Sequence, residues 1–80
     1  MAKARVFVTL KKSVFDPQGK TIHDALVGMG YAGVRDVRQG KFFEVELEGT
    51  AEQARATAEE ISRKVLANPV IESFRVEIEA

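Results

Sequence analysis

The 80-residue sequence contains no cysteine and no tryptophan, and it has only one histidine and two prolines. Without cysteine the chain can form neither a disulfide nor a thiolate metal site. A core this small has a thin stability margin, and small domains usually gain stability from a disulfide, a metal or association. The remaining sources of stability are association and unusually good packing. We therefore expect a homodimer, a higher homo-oligomer, or a subunit that docks onto something larger.

Two further absences exclude classes of partner. Lys and Arg total 12 and Asp and Glu total 12, so the formal net charge is zero, and no overall field attracts nucleic acid or an anionic membrane. No apolar run approaches the roughly 18 residues that span a bilayer. The N-terminus runs straight into a strand pattern, without the apolar region of a signal peptide. We expect a cytoplasmic protein whose partners include no nucleic acid and no membrane.

The first helix pattern follows Asp16-Pro17. The Asp side chain can accept from free backbone N–H groups, and Pro fits the first helical position, where its missing N–H costs nothing. Gly30 is suited to the residue just past the helix end. The spacing of the apolar residues between these points predicts a single stripe along the helix. The stripe comprises Ile22, Ala25, Leu26 and Met29.

The second helix pattern begins at Thr50, which forms a capping-box sequence with Gln53. Asn68-Pro69 is a stop signal for this helix, because Pro disfavours helical geometry in the residue before it. The apolar spacing predicts a buried stripe here too. Its members are Ala54, Ala58, Ile61 and Val65.

Four segments have strand character, and the order of elements predicts the fold class. The alternation of apolar and polar residues is clear in 5–10, 42–48 and 73–79 and weak in 34–39. The order strand, helix, strand, strand, helix, strand is typical of the ferredoxin-like sandwich. We therefore predict a single α+β domain over residues 1–80, with a four-stranded antiparallel sheet and both helices on one face. The first and third strands would lie in the centre.

The predicted open face of the sheet carries two aromatic residues. Phe7 and Phe42 have the parity opposite to the helix-covered face and would be neighbours on the two central strands. Adjacent phenylalanines on an uncovered face indicate an association surface, although single exposed apolar residues are also normal. The hypothesis is that the chain self-associates through Phe7 and Phe42, with the surrounding Arg and Glu rows pairing across a two-fold axis.

No catalytic or metal-binding grouping emerges from the spacing of reactive residues. His23 lies beside the first helix stripe, where a boundary position explains it, and no Ser-His-Asp set or phosphate loop is present. Glu44, Glu46 and Glu48 alternate along one strand, which gives a flat row and not the enclosing shell that a hard cation prefers. The aromatic face lacks the basic surround of an RNA-binding domain. We therefore expect no catalytic residue and no metal ligand.

Three separated motifs carry a specific resemblance. They are Leu10-Lys11-Lys12-Ser13-Val14-Phe15-Asp16-Pro17-Gln18-Gly19, Val37-Arg38-Gln39-Gly40-Lys41 and Leu66-Ala67-Asn68-Pro69-Val70-Ile71-Glu72. In this order they closely resemble the small PurS subunit family of bacterial phosphoribosylformylglycinamidine (FGAM) synthase. The likeness covers nearly the whole chain.

The resemblance implies a place in a glutamine-dependent ligase of de novo purine synthesis. That complex converts formylglycinamide ribonucleotide (FGAR), ATP and glutamine to FGAM. A large synthetase subunit uses ATP and Mg, and a glutaminase subunit releases ammonia. The small subunit is implied to form dimers, to join the other two subunits and to help ammonia pass between them. It would carry no active site and no cofactor of its own.

The same motifs supply candidate partner-contact residues, each with a simpler structural explanation beside it. Asp16 and Pro17 are explained by helix capping, whereas Gln18 and Gly19 are not required for it, and a glycine there would let a partner backbone approach. Arg38, Gly40 and Lys41 flank a predicted hairpin tip, and Arg38 could offer a forked contact to a partner carboxylate. Asn68 and Pro69 are explained first by the helix stop.

Two functions from other classes stay open on the residues alone. A regulatory module of the same fold would bind a small effector at a dimer seam, and a stand-alone enzyme of this fold would turn over an acyl phosphate. Saturable binding of a metabolite would favour the regulatory module, and turnover by the isolated chain would favour the enzyme.

Overall fold

A computed structural model describes residues 1–79. The strands are β1 (Ala2–Leu10), β2 (Gly40–Leu47) and β3 (Glu72–Glu79), and the α-helices are α1 (Pro17–Gly28) and α2 (Ala51–Ile61). A π-helical turn at Ser62–Leu66 extends α2. The strands form one antiparallel sheet in the order β2-β1-β3. The predicted α+β class with two helices is confirmed.

The predicted four-stranded sheet is wrong, because segment 34–39 is not a strand. Its hydrogen bonds are made to the segment that leads into α1: the Gln39 N–H donates to the Asp16 side chain, and the Arg38 guanidinium donates to two carbonyls. The Gln39 N–H is thereby withdrawn from strand pairing, and the guanidinium contacts hold the segment against the loop before α1. The sheet has only β1 in its centre, and β2, which was predicted to be central, is an outer strand.

One face of the sheet carries the core. Along β1 the alternate residues Ala4, Val6 and Val8 are fully buried, as their period-two spacing requires. Helix α2 packs over β1 and β3. Ala58 joins the core cluster from that helix, and the small side chain permits close approach of helix and sheet. Partly buried side chains from the strands and the π turn surround the cluster, namely Phe43, Val45, Leu47, Leu66, Phe74 and Ile78.

Both helix starts are confirmed. Asp16 caps α1, with its side chain accepting from the Gly19 N–H, and Pro17 occupies the first turn. Thr50 and Gln53 form the complete capping box of α2. Gly30 follows the end of α1 with a φ of 102°, a conformation that glycine adopts without steric penalty.

The predicted burial of Val65 is wrong, and the π turn is the reason. Ala54 and Ala58 are buried, but Val65 is 78% exposed. A π turn has a wider hydrogen-bonding step than an α turn, so residues beyond Ser62 leave the α-helical register. Ser62 is buried and its hydroxyl donates to the Ala58 carbonyl at 2.6 Å. Leu66 contacts the core in place of Val65.

Helix α1 lies largely outside the core. Among residues 1–79 it packs against no strand to the extent that α2 does, and Gly19 is its only buried residue. The Cα radius of gyration is 15.9 Å and the chain measures 49 × 25 × 13 Å, whereas a compact domain of this length has a radius of roughly 12 Å. Most of the α1 apolar stripe is therefore uncovered. No helix in the described residues is long and apolar enough to cross a membrane.

Candidate functional site

Asp16 is the anchor of the first motif. The residue is 5% exposed, and its carboxylate accepts two backbone N–H groups, from Gln39 at 2.7 Å and from Gly19 at 2.9 Å. These two hydrogen bonds, the one from Gln39 first, hold the pKa of the Asp16 carboxyl below its usual value because they favour the charged form. One side chain thus caps α1 and fixes the segment that precedes β2.

Gly19 permits a close backbone approach within this chain. A Cβ atom at Gly19 would overlap the carbonyl oxygen of Val37 and would lie 2.8 Å from a carboxylate oxygen of Asp16. Segment 34–39 therefore occupies the space beside Gly19 that was expected to admit a partner backbone. The predicted partner contact at this position stays a prediction, and the exposed side chains beside Gly19 are the groups that could make it.

Arg38 and Gln18 complete the junction between the first two motifs. The Arg38 Nη2 donates to the carbonyl oxygens of Lys11, at 3.0 Å, and Val14, at 2.8 Å. The Gln39 side-chain amide donates to the Gln18 side chain at 2.6 Å. Arg38 therefore uses part of its guanidinium to hold the loop that precedes α1, and Gln18 lies on the exposed side of the same junction.

The second and third motifs meet at Glu72. The Lys41 ammonium lies 3.4 Å from the Glu72 carboxylate, and the backbone N–H of Asn68 donates to the same side chain at 2.7 Å. The Asn68 side chain in turn accepts from the Val70 N–H, which shapes the turn around the exposed Pro69. At Gly40 a Cβ would lie only 2.5 Å from the Val8 carbonyl oxygen, so the strand start needs glycine.

The three motifs consequently occupy one end of the molecule. A cleft of about 200 Å³ joins them, with Asp16, Gln18, Gly40, Lys41 and Glu72 in its lining. Sequence reasoning missed Gln39 and Glu72 as the residues that connect the motifs. Both lie inside the motif segments, but only the fold shows that their hydrogen bonds cross from one segment to another.

Phe7 and Phe42 lie away from that end, on the open face of the sheet. They are paired in register across β1 and β2, with ring centroids 5.0 Å apart, and Phe42 is 51% exposed. The Arg75 guanidinium covers the Phe7 ring at 4.5 Å from its centroid, a favourable cation–π geometry. The structure thus brings the two phenylalanines together as the parity argument predicted.

The charged rows around Phe7 and Phe42 pair within the chain. Arg5 contacts Glu79 at 2.6 Å and Glu44 at 4.0 Å, and Lys3 lies 3.9 Å from Glu44. The rows were expected to pair across a two-fold axis, but these contacts already join β1 to both neighbours. Phe7 and Phe42 are thus the apolar part of this face, and Arg75 is the charged side chain that contacts Phe7.

Groups suited to bond-making are sparse in the described part of the chain. His23 is partly buried, and its Nδ1 lies 3.0 Å from a carboxylate oxygen of its neighbour Asp24. Residues 1–79 contain no group of three His, Cys, Asp or Glu side chains placed to hold a metal ion. The geometry at the motif end fixes loops and presents polar side chains, which suits recognition of another surface.

Comparison with known proteins decides the family. The sequence profile described as "PurS: Phosphoribosylformylglycinamidine (FGAM) synthase" matches residues 3–80. The chain belongs to the PurS family. It is 44% identical over 79 residues to the PurS subunit of FGAM synthase from Bacillus subtilis, a match that covers 99% of this chain and 94% of that protein. The PurS subunit from Methanocaldococcus jannaschii is 39% identical over 80 residues, covering 99% and 96%.

Solved PurS structures share the fold. The B. subtilis PurS structure matches with a TM-score of 0.90 and 44% identity, covering all of both chains. A chain of the PurLQS structure from Thermotoga maritima matches with a TM-score of 0.79 and 29% identity, covering 99% of each chain. The PurS family is thus the family of a small subunit of FGAM synthase, a ligase of purine biosynthesis, and the resemblance drawn from the three motifs is confirmed.

Proposed function

We propose that this PurS-family chain is a non-catalytic assembly subunit of FGAM synthase. It bridges the glutaminase and synthetase subunits in the cytoplasm and supports the passage of ammonia between them. FGAR, ATP and glutamine are converted to FGAM by the complex. ATP and Mg are used by the synthetase, and this chain holds no cofactor. The PurLQS assembly of T. maritima contains a chain of this fold, which supports a role within a complex.

The uncovered apolar surface of α1 is the observation that carries the proposal. Met29 is 71% exposed, and Ile22 and Ala25 of the same stripe are also exposed. Isolated helices shorter than about 12–15 residues are marginal in water, and helices in proteins depend mostly on packing for their stability. Because α1 is 12 residues long and packs little against its own sheet, its stripe requires cover from another chain.

We assign a second copy of this chain to the α1 stripe and to the Phe7–Phe42 pair. A homodimer or higher homo-oligomer buries both surfaces, which an 80-residue chain cannot do alone. The motif end then remains available to the two unlike subunits. Asp16, Pro17, Gln18, Gly19, Arg38, Gly40, Lys41, Asn68 and Pro69 shape or line that end.

The chemistry explains why an assembly subunit is needed. Ammonia loses its nucleophilicity when protonated and is lost when it diffuses into bulk water. A sealed contact between two active sites excludes water and keeps the reactant local. A small, cysteine-free domain that contacts both subunits fits this task.

Reconstitution of the enzyme from its separate subunits tests the proposal. Omission of this chain should abolish FGAM formation from glutamine while leaving most of the synthesis from added ammonium chloride, because only the transfer depends on assembly. The ammonia-dependent rate is the control for an intact synthetase. Full glutamine-dependent synthesis without this chain, or turnover by the isolated chain, would refute the proposal.

A further inference from the structure

Charge is unevenly divided along this neutral chain. Residues 1–41 carry eight Lys or Arg and three Asp, a net charge of +5, whereas residues 42–80 carry four Lys or Arg and nine Glu, a net charge of −5. The zero total is therefore the sum of a basic segment and an acidic one. The basic segment includes the loop before α1, α1 itself and segment 34–39. A neutral protein with such a segment can still recognise acidic groups locally.

Part of this charge lines a cleft beside the motif end. The cleft has a volume of about 220 Å³ and lies between the loop before α1, the first turns of α1 and segment 34–39. Three permanent cations and the histidine line it, namely Lys20, His23, Arg35 and Arg38. Phe15 and Val37 add apolar surface to the lining.

The acidic side chains of the same cleft are already engaged. Asp16 accepts the N–H groups of Gln39 and Gly19, and Asp36 accepts the N–H of Val37 at 3.0 Å. Both carboxylates therefore accept hydrogen bonds from the backbone of the cleft wall. The cations retain more unused donors: Arg38 donates from its Nη2 alone, and Lys20 contacts the exposed Asp24 at 3.2 Å. Arg35 makes no side-chain hydrogen bond or ion pair within residues 1–79.

We propose that this cleft binds an Asp or Glu side chain of another subunit of FGAM synthase, with Arg35 as the principal contact. The inference rests on the proposed assembly function and names the chemistry of one contact. A planar guanidinium suits a carboxylate because it can donate two parallel hydrogen bonds. The volume lies below the 300–1,000 Å³ usual for small-molecule sites, so a single side chain fits better than a whole nucleotide.

The position of the cleft favours an unlike subunit as the source of that carboxylate. A second copy of this chain is assigned above to the α1 stripe and to the Phe7–Phe42 pair, and on that sheet face Glu44, Glu77 and Glu79 already contact Lys3, Arg5 or Arg75. The cleft lies beside the motif end, which is left to the unlike subunits.

The decisive experiment compares Arg35→Glu with Arg63→Glu in subunit binding. Both arginines are exposed, and neither side chain makes a hydrogen bond or ion pair within residues 1–79. Because the substitution is the same, the two variants change the net charge equally. Arg63 lies in the π turn, outside the cleft. We expect Arg35→Glu to weaken binding of the full-length chain to the synthetase or glutaminase subunit by about tenfold at low salt. Arg63→Glu should stay within about twofold, as for an exposed charge outside the contact.

Salt dependence and thermal unfolding separate this contact from a folding defect. Arg35→Glu should flatten the dependence of Kd on ionic strength, because a screened ion pair has been lost, and should leave Tm near that of Arg63→Glu. A further variant, Lys20→Glu, should act in the same direction. Equal binding by Arg35→Glu and Arg63→Glu would overturn the inference and leave the assembly function standing.

Three other results would also count against it. Dissociation of the homo-oligomer by Arg35→Glu, with subunit binding unchanged, would assign the cleft to a second copy. A saturable, Arg35-dependent rise in Tm with sub-millimolar inorganic phosphate would assign it to a phosphorylated small molecule. A wild-type chain that binds neither unlike subunit would overturn the assembly function, and this inference with it.

Discussion

Single residues at the motif end act through the backbone as much as through their own side chains. Asp16 holds two separate chain segments by accepting their N–H groups, and Gly19 allows the Val37 carbonyl to pack where a side chain would stand. Motif residues at the surface are thus also needed to build that surface. A substitution at such a position changes the shape of the surface before it changes any intermolecular contact.

Gly19 and Gly28, both in α1, offer a matched comparison. Gly19→Ala should lower the free energy of unfolding by about 1–3 kcal/mol, because its Cβ meets backbone atoms that cannot move independently. Gly28 has no atom within 4 Å of a Cβ built there, so Gly28→Ala should raise the stability by about 0.4–1 kcal/mol through a lower chain entropy. Urea unfolding followed by circular dichroism measures both. A stabilising Gly19→Ala would contradict the close approach described here.

At the scale of helices and strands, the sequence predicted the features that depend on neighbouring residues in the chain. Capping side chains located the starts of both helices, and alternation located three strands. Segment 34–39 was not predictable as a loop, because its hydrogen-bond partner Asp16 lies some twenty residues earlier in the sequence. The π turn was missed for a related reason: a hydrophobic stripe written for 3.6 residues per turn contains no signal for a wider turn.

The π turn gives a prediction that reverses the helical pattern. Leu66→Ala should destabilise the chain by about 1–3 kcal/mol, because Leu66 packs against the core. Val65→Ala should change stability by less than about 0.5 kcal/mol, because that side chain is exposed. Chemical denaturation of the two variants under identical conditions is the measurement. A larger loss at Val65 than at Leu66 would mean that α2 continues as a regular α-helix.

At the scale of the whole molecule, the sequence revealed apolar surfaces but not which chain covers them. The α1 stripe has the spacing of a core-facing helix, and the same spacing serves equally well for packing between chains. The candidate residues were correctly placed in motifs, yet their grouping at one end depends on the β2-β1-β3 order. That order sets Gly40 beside Thr9, and β3 brings Glu72 alongside Leu10.

Phe42→Asp should weaken self-association by at least about tenfold, because it places an unpaired charge in an apolar contact. Sedimentation velocity at several protein concentrations measures the change. Val70→Asp is the control: Val70 is also apolar and is 77% exposed, but it lies in the turn near Pro69. The assignment of the Phe7–Phe42 pair fails if both variants retain the oligomer of the unmodified chain.

The placement of β1 in the centre leaves each outer strand with one row of N–H and C=O groups unused by β1. Such rows are templates for unintended pairing with other chains. β2 carries Glu44 and Glu46, and β3 carries Arg75, Glu77 and Glu79. Charged side chains on outer strands disfavour fibrillar aggregation, so the carboxylates of the open face should limit such pairing in a chain that has not yet met its partners.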